Sequence, residues 1–218
     1  MNRTSHWVDF INTHEIKIMA EIGVWRGDFA CEILQHCPLI TEYYLIDPWM
    51  KLEDWNKPLN TDDLESAYLE TCSKLERFKE KCIYLRGRTS DVRDNIPMID
   101  FAYVDGDHTL RGIAIDLLTI WPKIRDGAWI GGDDFSASIW QHGRDFEPSL
   151  VFPFAVHFAE GVNCPITALG GDQFLIQKIK GFTFSGDTQY FPSMEIGPQL
   201  NPQSRIGKFL GRWAPKFI

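Results

Sequence analysis

A glycine-containing turn and a downstream aspartate are the residues of this chain best suited to holding a nucleoside. Residues 20–29 read A-E-I-G-V-W-R-G-D-F, so an apolar strand is followed by glycines at positions 23 and 27. A second apolar run ends at Asp47. In an open α/β sheet, the backbone at such glycines approaches the ligand closely, and the acid at the tip of the next strand accepts hydrogen bonds from ribose hydroxyls. The pattern therefore predicts an adenosine site.

The spacing of these glycines disfavours a dinucleotide as the ligand. Dinucleotide folds use G-x-G-x-x-G, in which backbone amides at a helix start face the pyrophosphate. Here the pattern is E-x-G-x-x-x-G, with Trp25 in place of the second glycine and Glu21 beside the turn. A glutamate at this point would repel a diphosphate. A tight strand-to-helix turn without a ligand is the alternative that the turn alone leaves open.

Two further acidic clusters follow predicted strands later in the chain. The run Y-V-D-G-D-H ends the fourth strand with Asp105 and His108, and the run G-G-D-D-F ends the fifth with Asp133 and Asp134. Because neighbouring parallel strands end at the same edge of a sheet, the three aspartates are expected to lie close together. Adjacent carboxylates repel one another unless a cation or bound protons neutralise them. Oxygen ligands of this kind suit Mg²⁺, Ca²⁺ or Mn²⁺.

Alternating apolar runs and helical stretches predict the elements that position these residues. Such alternation is typical of a doubly wound α/β sheet with helices on both faces. Helices are expected over residues 28–36, 62–79, 110–121 and 148–160, and strands over residues 16–22, 43–46, 82–86, 100–104, 128–130, 166–169 and 173–179. The turn at residues 170–172, Gly-Gly-Asp, predicts that the last two strands form a hairpin.

The composition of the chain changes near its end. Residues 1–180 are expected to form one domain. Residues 181–218 are rich in proline, glycine and serine, and they finish in a basic and aromatic stretch. We expect this tail to pack on the domain or on a partner subunit, with a segment that covers the substrate as the alternative.

Charge and composition narrow the class of protein. The 218 residues include 44% hydrophobic side chains, which is enough for one sizeable core, and the net charge is −8. An acidic balance disfavours nucleic acid as a partner, because phosphate binding needs a basic surface. The five cysteines form no C-x-x-C pair, as is typical of reduced thiols. Without a visible signal peptide or an apolar run of membrane-spanning length, we expect a cytoplasmic protein with no membrane partner.

The turn, Asp47 and the D-G-D-H run together resemble the class I S-adenosylmethionine-dependent methyltransferases over roughly residues 15–180, and among them a bacterial family with this motif. The resemblance implies a Rossmann-like, doubly wound, seven-stranded sheet, mostly parallel with an antiparallel last strand. It also implies S-adenosylmethionine as the cofactor, because a glutamate beside the turn suits its amino acid head and sulfonium cation. The residues expected to contact this cofactor are Glu21, Gly23, Gly27, Asp47, Gly87, Thr89, Ser90 and Asp105. Either Thr89 or Ser90 would form a hydrogen bond with the adenine.

The acids at the strand ends are similar to those of metal-dependent O-methyltransferases, such as catechol O-methyltransferase. This similarity implies that Asp105, Asp133 and Asp134 hold a divalent ion, Mg²⁺ first among the candidates, which activates a substrate hydroxyl. Asp105 and His108 would be the catalytic residues, with His108 accepting the hydroxyl proton. Three alternatives stay open. His108 would satisfy a helix cap or a neighbouring acid, Asp105 would bind only the methionine end of the cofactor, or Asp133 and Asp134 would bind substrate without metal.

The predicted function is O-methylation of a small-molecule hydroxyl, with N-methylation left open. Relatives often pair, so a homo-oligomer is compatible with the resemblance. One alternative is an NAD-dependent oxidoreductase, against which the absence of G-x-G-x-x-G argues. Another is a non-catalytic cofactor-binding or assembly subunit, against which the acids at both strand ends argue. A cofactor titration separates the first alternative from a methyltransferase, and activity on hydroxylated acceptors separates the second.

Overall fold

An eight-stranded sheet forms the centre of the computed structural model, which describes residues 3–53, 60–136, 138–140 and 148–186. The strands are β1 (Ile18–Ile22), β2 (Glu42–Asp47), β3 (Cys82–Arg86), β4 (Ile99–Val104), β5 (Ile124–Gly132), β6 (Ile166–Leu169), β7 (Gln173–Gln177) and β8 (Phe184–Ser185). The helices are α1 (Arg3–Thr13), α2 (Asp28–His36), α3 (Thr61–Leu75), α4 (Thr89–Val92), α5 (Leu110–Ile120) and α6 (Val151–Gly161). None of these helices is long and apolar enough to cross a bilayer.

The strand order is β3-β2-β1-β4-β5-β7-β6-β8. The five strands β1 to β5 are parallel to one another, whereas β7 is antiparallel to both of its neighbours, β5 and β6. The prediction of a mostly parallel, doubly wound sheet with an antiparallel C-terminal part is therefore confirmed. This order places the carboxyl ends of β1 to β5 at one edge of the sheet, where ligands bind in such folds.

The predicted strand count of seven was wrong, because β8 adds an eighth strand at the sheet edge. Phe184 and Ser185 pair in parallel with Ile166 and Thr167 of β6. Two residues are too few for an alternating hydrophobic pattern, so the sequence carried no signal for this strand. The sheet thus continues past residue 180, where we expected the domain to end, and the basic and aromatic end of the tail lies outside the described residues.

Local sequence signals account for several helix boundaries. Helix α2 has the predicted bounds, and Gly27 precedes it in a left-handed conformation with φ of 72°. Helix α3 begins after a capping box, in which the Asn60 side chain accepts from the Asp63 amide and the Asp63 side chain accepts from the Asn60 amide. It ends at Leu75, where a 3₁₀ turn over Glu76–Phe78 takes over. Helix α6 tolerates Pro153 because it lies in the first turn, where the amide has no partner within the helix.

The core has two parts, one on each face of the sheet. Along β1, Ala20 and Ile22 face the cluster formed with α5 and α6, whereas Met19 faces the cluster formed with α1 and α2. This alternation follows from the period of two in a strand. Helix α1, which the sequence analysis did not predict, covers the second face with Trp7, which is fully buried.

Candidate active site

A cavity of about 220 Å³ lies at the carboxyl ends of β1 to β4. The apolar part of its wall comes from Ile22, Ile46, Leu52, Leu64 and Ile115. Five of the eight predicted cofactor contacts also line it, namely Gly23, Asp47, Gly87, Thr89 and Asp105. These residues end or follow four strands at the same edge, and two of them, Gly87 and Thr89, follow β3. The doubly wound topology therefore brings together the polar strand ends that the sequence marked.

Gly23 is required by the close approach of β1 to the loop after β4. Its φ is 88°, and a Cβ added to it would lie 2.1 Å from the carbonyl oxygen of Asp105. A backbone hydrogen bond from the Asp105 amide to Ile22 (2.8 Å) holds this contact. On the other side of β1, the Gly23 amide donates to Ile46 of β2 (2.9 Å). Any side chain at position 23 would force the two strand ends apart. The glycine therefore allows β1 and the loop after β4 to lie close together where both line the floor of the cavity.

The Asp47 carboxylate is buried at the end of β2 and its orientation is fixed by the backbone. Its Oδ2 accepts from the Trp25 amide at 3.0 Å, and its Oδ1 accepts from the Trp49 amide at 2.8 Å. The Trp49 indole in turn donates to the Trp25 carbonyl at 2.8 Å, which ties the two loops together. A carboxylate has about four acceptor positions, so Asp47 has the capacity to accept from further donors. The two backbone amides thus hold both oxygens in a fixed orientation.

Three of the predicted cofactor contacts do not line the cavity. Glu21 is buried and accepts from the Tyr43 hydroxyl at 2.7 Å. Burial and, as the second cause, the negative charge of Glu21 raise the pKa of Tyr43 well above its usual range, so the phenol keeps its proton. Gly27 faces Thr71, whose Cγ2 would lie 2.8 Å from an added Cβ. Ser90 is exposed, and its hydroxyl donates to Asp91 at 3.3 Å. Of the pair Thr89 and Ser90, Thr89 alone lines the cavity.

A second group of polar side chains adjoins the cavity beyond the ends of β4 and β5. Asp105, His108 and Asp134 each offer one ligand atom, and these atoms all lie within 4.8 Å of one another. The imidazole lies between the two carboxylates. Its Nδ1 forms an ion pair with Asp134, and its Nε2 is 3.4 Å from Oδ1 of Asp105. Asp105 and His108 line the cavity as well, so the two sites share a wall.

The two carboxylates determine the protonation of His108. Burial by itself would lower the pKa of this histidine, but the hydrogen bonds to Asp105 and Asp134 and their negative charges outweigh it and raise the pKa to about 9. At pH 7, in the absence of a metal ion, His108 therefore carries a positive charge and offsets part of the charge of its two partners. It cannot accept a proton in that form. The predicted role of His108 as a base thus requires that this proton leave first.

The stability of the metal-free protein is expected to depend on this proton. The pKa of His108 is higher in the folded state than in the unfolded state. The stabilisation that protonated His108 gives to the folded protein is therefore complete below pH 6.5 and is lost as the pH rises through about 9. The loss should amount to about 3 kcal/mol in the free energy of unfolding. Urea denaturation in chelator at pH 6, 7.5 and 9 measures it. The His108→Gln variant should lack this part of the decline, and parallel pH profiles for the two proteins would contradict the assignment.

Asp133 occupies a different environment from Asp134, although both follow β5. The side-chain amide of Gln173 donates to the Asp133 carboxylate. The Gln173 carbonyl oxygen accepts from the Trp7 indole at 2.8 Å and from the Tyr103 hydroxyl at 2.9 Å. The structure thus holds Asp133 in a polar network beneath α1. His108, and not Asp133, joins Asp105 and Asp134 in the group of possible metal ligands, which we call the acidic group. The D-x-x-H spacing over residues 105–108 was the signal for this.

Asp116 is a cavity residue that the sequence analysis missed. It lies on α5, is buried, and accepts from the Thr89 hydroxyl at 2.6 Å. The signal was present in the sequence, because Asp116 shares the buried face of α5 with Ile113 and Ile120 at helical spacing. A charged residue on an otherwise apolar helix face costs free energy unless it is paired. The buried position therefore marks Asp116 as a residue with a specific polar partner.

Solved structures of known methyltransferases share this fold. SAH-bound PaMTH1 from Podospora anserina is 14% identical, with 83% of this chain and 80% of that chain covered and a TM-score of 0.60. The O-methyltransferase TomG from Streptomyces achromogenes, in complex with SAM, is 14% identical over 82% and 80%, with a TM-score of 0.59. An rRNA methylase from Streptococcus thermophilus is 12% identical over 83% and 98%, with a TM-score of 0.54. At these identities the likeness concerns the fold.

The sequence itself matches a family model described as a methyltransferase domain over residues 20–135, which is more than half of the chain. Among curated proteins, none matches the sequence significantly. The matched region runs from β1 to the residue after Asp134, so it contains the glycine turn, Asp47 and the whole Asp105–His108–Asp134 group. The chain therefore belongs to the methyltransferase domain family and is a class I S-adenosylmethionine-dependent methyltransferase.

Proposed function

We propose that this protein transfers a methyl group from S-adenosylmethionine to a hydroxyl group of a small molecule, with a divalent metal ion held by Asp105, His108 and Asp134. The observation that carries the proposal is the shared wall of the two sites. Asp105 and His108 line the cavity and also belong to the group of metal-ligating side chains. A methyl donor in the cavity and an acceptor at the acidic group would therefore lie next to each other.

The cavity supports a definite orientation of the cofactor. Asp47 offers carboxylate oxygens at the end of β2, where a ribose diol would donate two hydrogen bonds. The apolar side chains of Ile46, Leu64 and Ile115 suit the faces of the adenine ring. The methionine end would then extend past Gly23 towards Asp105. This direction points the sulfonium methyl group at the acidic group.

The donor atoms of the acidic group fit a divalent ion. Two carboxylates and one imidazole are available, and Asp105 and Asp134 bring negative charge that a cation would neutralise. Of the three ions considered, Mn²⁺ fits this set best, because it accepts an imidazole ligand more readily than Mg²⁺ or Ca²⁺ does. When bound, such an ion acts as a Lewis acid and lowers the pKa of a substrate hydroxyl. The His108 proton would leave on binding, since a ligating imidazole is neutral.

The protein's own residues contribute positioning and the exclusion of water. Methyl transfer is a single displacement that needs the acceptor oxygen, the methyl carbon and the sulfur nearly in line. The buried Asp47 carboxylate and the backbone contact at Gly23 fix the donor side of this line. The side chains of His108 and Asp134 are 20% and 12% exposed, which keeps the acceptor side partly shielded from water. Proximity and orientation of this kind supply a large part of the lowering of the activation barrier in such reactions.

The acceptor class is inferred from charge and from the fold relatives. A net charge of −8 gives little attraction to a nucleic acid backbone. This weighs against an acceptor like that of the rRNA methylase and favours a small-molecule acceptor, as for TomG, which takes part in tomaymycin synthesis. A non-catalytic cofactor-binding subunit is the remaining alternative. Methyl transfer measured with a panel of catechols, other phenols and sugars, with Mn²⁺ or with chelator, decides between the two.

The cofactor site is tested by Asp47→Asn. We expect this variant to lower the affinity for S-adenosylhomocysteine by about 10- to 100-fold, because hydrogen bonds from the ribose to a charged acceptor are lost. The amide NH₂ group would also face one of the two backbone amides that now donate to Asp47. Isothermal titration calorimetry gives the dissociation constants. Asp62→Asn, an equal change of charge at an exposed position in the first turn of α3, serves as the control and should keep the parent affinity.

Two results would contradict the cofactor assignment. The first is a wild-type protein that does not bind S-adenosylhomocysteine at all. The second is an Asp47→Asn variant that folds and binds it with unchanged affinity, since the ribose would then lie elsewhere.

A further inference from the structure

We infer that residues 205–217 bind the protein to the surface of an anionic membrane. This stretch is the basic and aromatic end of the tail, and the proposed methyl transfer assigns no role to it. Our expectation of no membrane partner rested on the lack of an apolar run of spanning length. Binding to a membrane surface needs no such run, because the segment lies in the plane of the interface.

The charge of this stretch is opposite to that of the rest of the chain. The net charge of the whole chain is −8, and all 30 acidic residues lie at or before Glu195. Residues 196–218 contain no acid and four basic side chains, those of Arg205, Lys208, Arg212 and Lys216. A solvated face usually carries charges of both signs. A cluster of basic residues without any acid instead favours an anionic surface as its partner.

The apolar and basic side chains of this stretch recur at helical spacing on separate faces. The apolar ones follow the spacing i, i+3, i+4, i+7, i+11, at Ile206, Phe209, Leu210, Trp213 and Phe217. The basic ones follow the spacing i, i+3, i+7, i+11 from Arg205. At about 100° per residue, each set falls within an arc of about 100°, and the two arcs do not overlap. Aromatic residues on one face and basic residues on another are typical of segments that lie in the membrane interface.

Binding to the membrane would also supply the free energy that a helix of this sequence lacks in water. Gly207 and Gly211 lower the intrinsic helix propensity, and Pro215 removes a backbone hydrogen bond. The two faces are nevertheless separate over residues 205–213, before the proline. Burial of the apolar face stabilises such short helices when they bind, because packing rather than propensity supplies most of their stability.

The path of the chain brings this stretch to the edge of the sheet that carries the cavity. Because β8 is parallel to β6, and both β6 and β5 are antiparallel to β7, β8 runs in the same direction as β5. The chain therefore leaves β8 after Ser185 at the carboxyl edge. Four strand spacings, about 19 Å, separate β8 from β4, whereas the chain from Ser185 to Arg205 can span up to about 65 Å. A membrane-bound segment would thus keep the mouth of the cavity within reach of the membrane surface.

Vesicle binding by the 218-residue protein tests the inference. We expect it to co-sediment with vesicles of equal parts phosphatidylcholine and phosphatidylglycerol, and to bind vesicles of phosphatidylcholine alone at least about tenfold more weakly. Raising the salt concentration from about 0.1 M to about 0.5 M should weaken binding to the anionic vesicles at least about fivefold, because salt screens the charges. The assay contains neither cofactor nor metal, so its result is independent of the proposed methyl transfer.

Paired substitutions assign the binding to this stretch. Lys208→Glu combined with Arg212→Glu should lower the affinity for anionic vesicles at least about 30-fold. Lys79→Glu combined with Arg93→Glu makes the same chemical change on the domain, at side chains that are 63% and 65% exposed, and should keep the affinity within about threefold. Trp213→Ala leaves the charge unchanged and should lower the affinity about tenfold, because an indole no longer enters the interface. Thermal denaturation checks that the variants are folded.

Three results would each overturn the inference. The first is a wild-type protein that ignores both kinds of vesicle or binds them equally. The second is an equal loss of affinity in the two charge-reversal pairs, since the attraction would then not come from residues 205–217. The third is unchanged binding by Trp213→Ala, since the aromatic face would then not enter the membrane. A loss that is confined to the tail variants and to anionic vesicles supports the inference.

Discussion

Replacing Asp134 with asparagine is expected to lower the affinity for Mn²⁺ by at least about 100-fold. Asp134 is a buried member of the acidic group and pairs with His108 Nδ1, so a neutral amide removes half of the carboxylate charge in the group. Asparagine also tolerates the left-handed backbone at this position, where φ is 61°. Metal-dependent methyl transfer should fall with the metal affinity. The affinity for S-adenosylhomocysteine should change by less than about threefold, because Asp134 does not line the cavity.

The neighbouring residue provides a matched control for this prediction. Asp133→Asn makes the same chemical change one residue earlier in the chain, but Asp133 is held by Gln173 beneath α1. Its effect on Mn²⁺ affinity should stay below about tenfold, as for a residue that does not touch the ion. Calorimetric titration of both variants with Mn²⁺, before and after addition of chelator, measures the difference. If Asp133→Asn proves the more damaging, the metal ligand is Asp133, as the sequence alone predicted, and the proposed set of Asp105, His108 and Asp134 is wrong.

Replacing Gly23 with alanine is expected to have the second large effect. The added methyl group would meet the carbonyl oxygen of Asp105 at 2.1 Å, and the backbone at φ of 88° disfavours any side chain. Since the obstacle is backbone, the strands must separate. We expect a loss of about 4 kcal/mol in the free energy of unfolding. At temperatures where the variant is still folded, we expect a loss of at least about 100-fold in affinity for S-adenosylhomocysteine, because the floor of the cavity moves.

The Gly127→Ala variant separates the two causes of this loss in stability, which are the unfavourable backbone conformation and the steric clash. Its φ is 85°, close to that of Gly23, but an added Cβ there has no neighbour within 4 Å among the described residues. Gly127→Ala should therefore show the conformational cost alone, about 1–2 kcal/mol. Chemical denaturation gives both free energies. Equal losses for the two variants would mean that β1 and the loop after β4 are not in the close contact described here.

Local patterns predicted the elements that carry the site with good accuracy. The bounds of α2, β3 and β6 are those expected from the sequence. Each is marked by a signal that acts over a few residues, such as helical spacing of apolar side chains or glycines in a turn. The positions of Asp47 and Gly23 at strand ends follow from the same signals. Because parallel strands share one edge, the meeting of these residues in one cavity was predictable too.

Features that depend on distant contacts were not predictable in this way. Helix α1 is stabilised by packing of Trp7 on the sheet, where Gly131 leaves room for the indole. Strand β8 exists because β6 offers an edge. Neither has a strong local pattern, so tertiary contacts decide both.

The sequence by itself determined the fold class and the strand ends at which the polar residues gather, because periodicity and turn chemistry are local properties. Its motifs also resembled those of the methyltransferase family. The tertiary structure decided which partner each acid has. Asp133 and Asp134 are chemically identical neighbours, yet one is held by Gln173 and the other pairs with His108. Asp116 reached the cavity wall only through the packing of α5 on the sheet. Side-chain direction after a strand end depends on the backbone turn and on partners far away in sequence, and no local pattern encodes either.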